Sequence, residues 1–386
     1  MMPEQWAFCS PVRILFGVGT SKDVPALAGT YGRRLLVVTG SGSARVQSLV
    51  EAWTANGGYQ VSCHVQGEPT LESISEMVQI ARESEVDVIV GWGGGSVLDA
   101  AKAVAALLTN GGDPLNYLEI VGRGEPLSRP ALPMIAVPTT AGTGAEVTRN
   151  AVIGVPGKKI KVSLRHDFVL PRYAVIDPAL TYTMPPEVTA YTGFDALTQC
   201  LEAFINCHGN PLLTALCREG LQRARSLERV WMDGSDEEAR SDMSLSALCS
   251  GLALSHIKLG AVHGIAGPFG GMYGGPHGAI CARLLVPVIR MNVELLRKEY
   301  PQHPALDRYT EAARILTGSS DAVPEDLTDL LSGWADQFGI KGLSSYGLVL
   351  DSMDELIQKA LASSSMKGNP VLLRPVSVRD VLAEAF

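Results

Sequence analysis

The sequence lacks the features that mark secreted, membrane and nucleic-acid-binding proteins. No apolar stretch approaches the roughly 20 residues that a membrane-spanning helix needs, and no basic-then-apolar leader pattern opens the chain. Only 32 Lys and Arg stand against 40 Asp and Glu, so the net charge of −8 would repel nucleic acid and anionic lipid. We therefore expect a cytoplasmic protein that binds neither nucleic acid nor a membrane.

Paired cysteines are also missing. The cysteines are odd in number and scattered along the chain, and no two of them form a CxxC motif. This pattern argues against both a disulfide framework and a thiolate zinc knuckle, and we expect reduced, mostly buried thiols. The cysteines are Cys9, Cys63, Cys200, Cys207, Cys217, Cys249 and Cys281.

Apolar residues, by contrast, are plentiful. They make up 46% of the 386 residues, and a chain of this length predicts two hydrophobic cores and hence two domains. In the first half, short β-branched runs alternate with amphipathic segments, a pattern typical of buried parallel strands joined by crossover helices. The runs cover residues 34–39, 60–64, 86–91, 134–138 and 174–177. We predict a doubly wound α/β domain over residues 1–182.

The second half has a different pattern, because long helix-compatible segments replace the β-branched runs from about residue 185. Pro185 and Pro186 mark a helix start, since proline is tolerated in a first turn and poorly elsewhere. The segments cover residues 186–207, 211–231, 235–259 and 278–297, and three more follow near the C-terminus. We predict an all-helical domain over residues 183–386.

Two polar loops follow predicted strands of the α/β domain. In the first, the strand leads into the glycine run 93–95 and Ser96, and then into an alanine-rich helix. Glycines at such a turn let the backbone approach a diphosphate, whose charge the helix N-terminus favours. The second loop offers the hydroxyls of Thr139, Thr140 and Thr143. Each is also compatible with an ordinary turn, but two such loops at carboxyl ends of parallel strands favour a nucleotide site.

Four side chains of the helical domain are candidate metal ligands. Asp195 and Gln199 stand four residues apart and so share one face of a helix. His263 and His277 are flanked by glycine in apolar surroundings. Imidazole, carboxylate and amide oxygen together suit a divalent cation such as Fe(II) or Zn(II). Taken singly, a glycine-flanked histidine is more often packed or hydrogen-bonded than a ligand.

Four sequence blocks resemble the signature blocks of the iron-dependent alcohol dehydrogenases. They are GGGSVLDAAK at 93–102, PTTAGTGAEVT at 138–148, GFDALTQCLEA at 193–203 and AVHGIAGPFGGMYGGPHGA at 261–279. The blocks fall in the family's order and spacing, and the resemblance covers nearly the whole chain. It implies a Rossmann-like dinucleotide domain followed by a helical domain, in a dehydroquinate synthase-like architecture. It also implies a divalent metal in the cleft between them.

The resemblance assigns roles to individual residues of this chain. Asp195, Gln199, His263 and His277 would hold the metal, and Asp195, His263 and His277 would thereby be catalytic. The implied cofactor-binding residues are Gly40, Ser41, Gly94, Gly95, Ser96, Asp99, Thr139, Thr140, Thr143 and Lys161.

Three departures from the family pattern bear on these roles. Gln199 replaces a histidine ligand, and a neutral amide oxygen is a weaker ligand, so the preference between metals is expected to shift. Gly267 stands where relatives carry a histidine that is a candidate proton relay, which leaves the general acid unassigned and a water as its substitute. Gly40 stands where many NAD-preferring relatives carry aspartate; without that carboxylate there is room for a 2′-phosphate, with Arg45 as a partner. The cofactor is therefore NAD(P), with a lean to NADP.

The resulting prediction is a metal-dependent, NAD(P)-dependent alcohol dehydrogenase or aldehyde reductase. Lys258 is the only lysine or arginine between positions 241 and 282, so a small, weakly polar alcohol or aldehyde fits better than a phosphorylated substrate. The alternatives are a metal-free enzyme of the maleylacetate reductase type, a dehydroquinate synthase-like lyase, and a nucleotide-binding protein without turnover. Asp195 weighs against the first, and the missing basic cluster weighs against the second. The resemblance also implies a homodimer or a larger homo-oligomer.

Overall fold

The structure is a computed structural model that describes residues 5–10, 12–42, 46–158, 160–206 and 210–386. Arg45, Cys207 and the histidine at 208 lie outside the described residues. The chain forms two compact units. The α/β unit comprises Cys9–Thr140 and Gly144–Tyr182, and the helical unit comprises the described residues up to Phe8, Ala141–Thr143 and Thr183–Phe386.

A six-stranded parallel sheet forms the centre of the α/β unit. Its strands are β1 (Arg13–Phe16), β2 (Arg34–Thr39), β3 (Tyr59–His64), β4 (Val88–Gly93), β5 (Met134–Pro138) and β8 (Tyr173–Ile176), in the order β1-β8-β5-β4-β2-β3. A separate antiparallel hairpin consists of β6 (Asn150–Val155) and β7 (Ile160–Arg165). The helices are α1 (Val24–Gly29), α2 (Gln47–Ala55), α3 (Leu71–Glu83) and α4 (Gly95–Asn110).

Strand β4 positions the glycine-rich loop. All six of its residues are buried, as expected for a central parallel strand, and the buried alanine-rich face of α4 packs back on it. Gly93 at the end of β4 pairs with Pro138 at the end of β5, and the Thr139 N–H donates to the Gly93 carbonyl at 3.0 Å. The two predicted loops therefore begin side by side at one edge of the sheet.

The helical unit is built around one almost completely buried helix, α5 (Pro186–Ile205), which packs against neighbouring helices. Proline in the first turn begins several of these helices, as expected from its fixed φ. The other helices are α6 (Pro211–Ala224), α7 (Leu227–Met232), α8 (Glu237–Leu254), α9 (Ala261–Met272), α10 (His277–Glu299), α11 (Ala305–Thr317), α12 (Pro324–Gln337), α13 (Asp354–Ala362) and α14 (Pro375–Glu384). In the described part of the chain, none of the helices combines the length and apolar character that crossing a membrane requires.

The predicted fold class is confirmed, and the differences concern individual elements. Strand β4 lies two residues later than predicted, and β1 and the β6–β7 hairpin were not predicted. The segment predicted as one helix over 211–231 forms two, α6 and α7, because the chain turns at Ser226, whose hydroxyl donates to Asp242 at 2.6 Å. Four helices, not three, follow α10, and α9 was not predicted at all.

Candidate active site

Helix α5 carries three polar side chains on one face of a buried helix. Asp195, Gln199 and Glu202 lie four and three residues apart, so they follow one another along α5, and all three are buried. A buried carboxylate is costly without compensating partners, so the partners of Asp195 and Glu202 decide what this face does.

Glu202 joins α5 to the start of α9. Its Oε1 accepts from the Val262 N–H at 2.7 Å, in the first turn of α9, and its Oε2 lies 2.6 Å from His263 Nδ1. Gly260 makes this approach possible, since a Cβ there would lie 2.7 Å from Glu202 Oε1. Because Nδ1 is engaged by Glu202, the His263 ring presents Nε2 to Asp195, at 3.2 Å from Oδ1.

Helix α10 adds two side chains to the same place. His277 is its first residue, and Cys281 follows one turn later. The His277 Nε2 lies 3.8 Å from Asp195 Oδ1. The Cys281 Sγ lies 3.7 Å from His277 Nε2 and 3.8 Å from His263 Nε2. One ligand atom from each of these four residues therefore lies within 4.8 Å of the other three.

The electrostatics of this group reflect the close approach of opposite charges. Burial alone would raise the pKa of Asp195, but the hydrogen bond from His263 and the charge of His277 outweigh it and hold the pKa below its ordinary value. Burial likewise lowers the pKa of His263, yet the charges of Cys281 and Glu202 raise it well above the ordinary value. Burial raises the pKa of Cys281, but His277 and His263 lower it by more than burial raises it, so the net shift is downward.

Cys249 provides a contrast within the same unit. It is also buried, but burial raises the pKa of its thiol to about 12. Burial alone therefore makes a cysteine of this unit an inert thiol, and the two histidines set Cys281 apart.

Gln199 has a different environment from the other predicted ligands. Its Nε2 donates to the Thr143 carbonyl at 3.1 Å and lies 3.4 Å from Ser250 Oγ. Its Oε1 is buried and has no hydrogen-bond partner among the described residues. Thr143 also donates from its hydroxyl to Asp195 Oδ2 at 3.0 Å, so this predicted cofactor residue orients a predicted ligand.

The predicted cofactor residues of the α/β unit fall into two groups. Gly94 caps α4, and Gly95 and Ser96 are its first two residues, whose N–H groups precede the first intrahelical hydrogen bond, from Val97 to the Gly94 carbonyl. A Cβ on Gly94 would lie 3.3 Å from Thr140 Cγ2, so glycine permits the close approach of the two loops. Gly40 and Ser41 follow β2, the neighbour of β4, and so lie at the same edge of the sheet.

Asp99 and Lys161, the other two, have protein partners. Asp99 accepts from Lys102 Nζ at 3.3 Å and from the Val152 N–H at 3.1 Å. Lys161 pairs with Glu68 at 2.5 Å. Their roles toward a cofactor stay predictions.

Sequence reasoning did not single out Glu202 or Cys281. The spacing that suggested Asp195 and Gln199 also relates His277 to Cys281, so a signal for Cys281 was present. At Gly267, where the resemblance implies a histidine that is a candidate proton relay, a Cβ would meet no atom of the described residues within 4 Å. A side chain at this position would therefore have open space around its first carbon.

Comparison with known proteins gives a consistent result across the chain. Residues 11–178 match the model of the iron-containing alcohol dehydrogenases, and residues 189–386 match the model for the C-terminal part of that family. Alcohol dehydrogenase 4 of Saccharomyces cerevisiae is 32% identical over 394 residues, which cover 100% of both chains. The 4-hydroxybutyrate dehydrogenase of Cupriavidus necator is 33% identical over 364 residues, 92% of each chain. The sulfoacetaldehyde reductase of Bifidobacterium kashiwanohense, solved with NAD+, superimposes with a TM-score of 0.87 at 25% identity over 99% of each chain.

Proposed function

Because this chain belongs to the iron-containing alcohol dehydrogenase family and is an oxidoreductase acting on alcohols, we propose that it transfers a hydride between NAD(P)H and a small aldehyde or alcohol. The observation that carries the proposal is the convergence of Asp195, His263 and His277 from three helices on one point. Carboxylate oxygen and imidazole nitrogen are suitable ligands for Fe(II) and Zn(II), so the donor set fits the divalent metal that the family binds.

Asp195, His263 and His277 would hold the metal ion, with Gln199 as the fourth predicted ligand. When bound, such an ion acts as a Lewis acid that polarises the substrate oxygen. Glu202 accepts the His263 Nδ1 proton and leaves Nε2 free to bind, while Thr143 fixes the second oxygen of Asp195.

The α/β unit supports the cofactor part of the proposal. The first turn of α4, with Gly94, Gly95 and Ser96, offers N–H groups and the positive end of a helix dipole to a diphosphate. Gly40 offers no carboxylate to repel a 2′-phosphate, and among the described residues a Cβ there would meet only Val97, at 4.0 Å. This supports the lean to NADP, and Arg45 stays a predicted partner.

The substrate side of the site favours weakly polar molecules. Lys258 is the single lysine or arginine between positions 241 and 282, the segment that contains His263 and His277. With glycine at 267, no side chain at that position can relay the substrate proton, so we propose that water does so. A homo-oligomeric state and a cytoplasmic location stay predictions.

The test compares wild-type protein with the Asp195→Asn variant. Protein purified without chelator is analysed for bound metals, and oxidation of NADH and NADPH is followed by absorbance with a panel of short aldehydes. We expect stoichiometric metal in the wild type, and a loss of metal with a fall in kcat/KM of at least about 10³-fold in the variant, because polarisation by the metal contributes several kcal/mol. Stripping the metal should abolish wild-type activity, and adding back Fe(II) or Zn(II) should restore it.

Asp242→Asn is the matched control. Asp242 is an aspartate of the same unit that accepts hydrogen bonds from Arg223 and Ser226. Its substitution should leave metal content and turnover unchanged. If metal-free protein turned over as fast as metal-loaded protein, the metal-dependent mechanism would be wrong, and a reductase of the maleylacetate type would replace it.

A further inference from the structure

The metal site of the proposed function has a gap in its ligand set. Of the predicted ligands, Asp195, His263 and His277 bring a carboxylate oxygen and two imidazole nitrogens together. Gln199 turns its amide nitrogen toward the Thr143 carbonyl and Ser250, and its buried Oε1 has no hydrogen-bond partner among the described residues. A neutral amide oxygen in the fourth place makes a weaker site than a third imidazole.

Cys281 lies where a further ligand is needed. It is buried, it belongs to the same helix as His277 and lies one turn beyond it, and its sulfur faces the Nε2 atoms of both histidines. Its Sγ is one of the four atoms that lie within 4.8 Å of one another.

The spacings agree with a metal at the centre of the four atoms. For metal–ligand bonds of about 2.0–2.1 Å to nitrogen or oxygen and about 2.3 Å to sulfur, the edges of a tetrahedron are about 3.3–3.6 Å long. The distances are 3.7 and 3.8 Å from Cys281 Sγ to the two imidazole nitrogens. From Asp195 Oδ1 they are 3.2 Å to His263 Nε2 and 3.8 Å to His277 Nε2. The other two pairs lie within 4.8 Å, so side-chain shifts of up to about 1 Å would bring all four atoms to the corners of one tetrahedron.

We propose that Cys281 is a ligand of the metal and takes the place that the substitution of histidine by Gln199 leaves. On binding, the thiol proton passes to solvent and the sulfur lone pair forms the bond to the metal. The ligand set becomes one carboxylate, two imidazoles and one thiolate. A thiolate favours softer ions, so this site selects Zn(II) or Fe(II) over Mg(II) and Mn(II).

The inference rests on the proposed function, and its first test needs no variant. The wild-type protein is loaded with Zn(II), and the ligands are identified by X-ray absorption at the zinc edge. We expect one sulfur neighbour at about 2.3 Å among nitrogen and oxygen neighbours. The Co(II)-substituted protein should show a thiolate-to-cobalt charge-transfer band. A zinc spectrum with nitrogen and oxygen neighbours only would overturn the inference.

Three variants then locate the sulfur and separate the two candidate ligands. Cys281→Ser should lose the sulfur neighbour and the charge-transfer band, and its zinc affinity should fall by at least about 100-fold, because loss of partners that only orient ligands already costs 10–100-fold. Gln199→Leu should keep both signals and bind zinc within about tenfold of the wild type. Cys249→Ser, which alters another buried thiol of the same unit, should match the wild type.

The outcomes distinguish this inference from the proposed function. Stoichiometric metal and full turnover without a sulfur neighbour would refute the role of Cys281 and leave the proposed function standing. Tight zinc binding in Cys281→Ser together with loss of zinc in Gln199→Leu would give the fourth place to the amide oxygen of Gln199. A wild-type protein that binds no divalent metal would refute both.

Discussion

Both units bury a cluster of charged side chains. The two clusters differ in whether the protein itself supplies a hydrogen-bond partner for every donor. In the α/β unit the Lys102 cluster consists of Asp99, Lys102, Glu146 and Thr148, all but Asp99 almost fully buried. The ammonium group of Lys102 has three protons and three acceptors, namely Thr148 Oγ1 and the Asn150 carbonyl, both at 2.8 Å, and Asp99 Oδ1 at 3.3 Å. The cation is therefore saturated by its own protein.

The cluster of the helical unit, formed by Asp195, His263, His277 and Cys281, is convergent instead. Its four ligand atoms face one another across less than 5 Å, and the proton of His263 Nδ1 is already engaged by Glu202. Such a cluster has the capacity to bind a cation that the protein does not itself supply. The comparison teaches that a buried charge whose hydrogen bonds are all made within the protein stabilises the fold. Buried ligand atoms that converge on one point indicate a catalytic or binding role instead.

The largest expected effect on folding comes from Lys102→Met. The substitution keeps the length of the side chain but removes the charge, and it leaves Asp99 buried without its cation. Breaking a buried ion pair at one partner typically costs about 3–5 kcal/mol, so we expect the free energy of unfolding in urea to fall by that amount. Lys161→Met is the matched control in the same unit, because its partner Glu68 is half-exposed and such pairs contribute about 1 kcal/mol or less. Wild-type stability in Lys102→Met would show that the saturated cluster does not stabilise the fold.

A smaller effect, dependent on pH, is expected at Glu146. Burial raises the pKa of Glu146 from 4.5 to about 7, although the charge of Lys102 opposes the shift. The folded state therefore holds a proton that the unfolded state releases, and this makes stability fall as the pH rises from about 4.5 to about 7. A shift of that size corresponds to about 3 kcal/mol.

Glu146→Gln removes this titration and keeps the size of the side chain. Relative to the wild type, the free energy of unfolding of the variant should rise by up to about 3 kcal/mol between pH 4.5 and pH 7 and then stay level. Glu76→Gln, on the exposed part of α3, controls for loss of a surface carboxylate. Parallel pH profiles for Glu146→Gln and the wild type would contradict the assignment.

The sequence predicts those elements in which the apolar residues are the ones that the fold buries. Strand β2 was predicted from its run of leucine and β-branched residues, and five of its six residues are buried. Strand β1 was not, because it is four residues long and mostly exposed. Helix α9 contains several glycines and Pro268, which disfavour a helix, but Val262, Ile265 and Phe269 are fully buried in the core, and their packing outweighs the local preference.

Residue spacing accounts for only part of the candidate site. Asp195 and Gln199 were found because spacing along one helix is readable in a sequence. Glu202 was not, because its role depends on the start of α9 approaching α5 at Gly260, which is a tertiary contact. Nothing in the sequence distinguishes Lys102 from an exposed lysine, since its partners Thr148 and Asn150 come from a segment more than 40 residues away.

Glu202 shares features of both clusters. Its substitution is expected to change zinc affinity and to have the smallest effect on the stability of the fold. It is saturated like Lys102, since both of its oxygens have partners, yet one partner is a predicted metal ligand. Glu202→Gln can still accept from the Val262 N–H, but its amide NH₂ would meet His263 Nδ1 as a second donor. In the neutral imidazole that a metal binds, the single ring proton would then move from Nδ1 to Nε2, the nitrogen that faces Asp195.

We therefore expect zinc affinity in Glu202→Gln, measured by competition with a chelator, to fall by about 10–100-fold, with little change in the free energy of unfolding. Nitrogen NMR of the histidine ring should show the change of tautomer, which a merely structural role of Glu202 would not produce. Glu187→Gln, on the exposed first turn of the same helix, is the control. Unchanged affinity and tautomer with reduced stability would place Glu202 with the Lys102 cluster, as a cap of α9 only. The expected result instead makes it a positioning residue, because its hydrogen bond holds the ring proton on Nδ1 and makes Nε2 the nitrogen of His263 that a metal can bind.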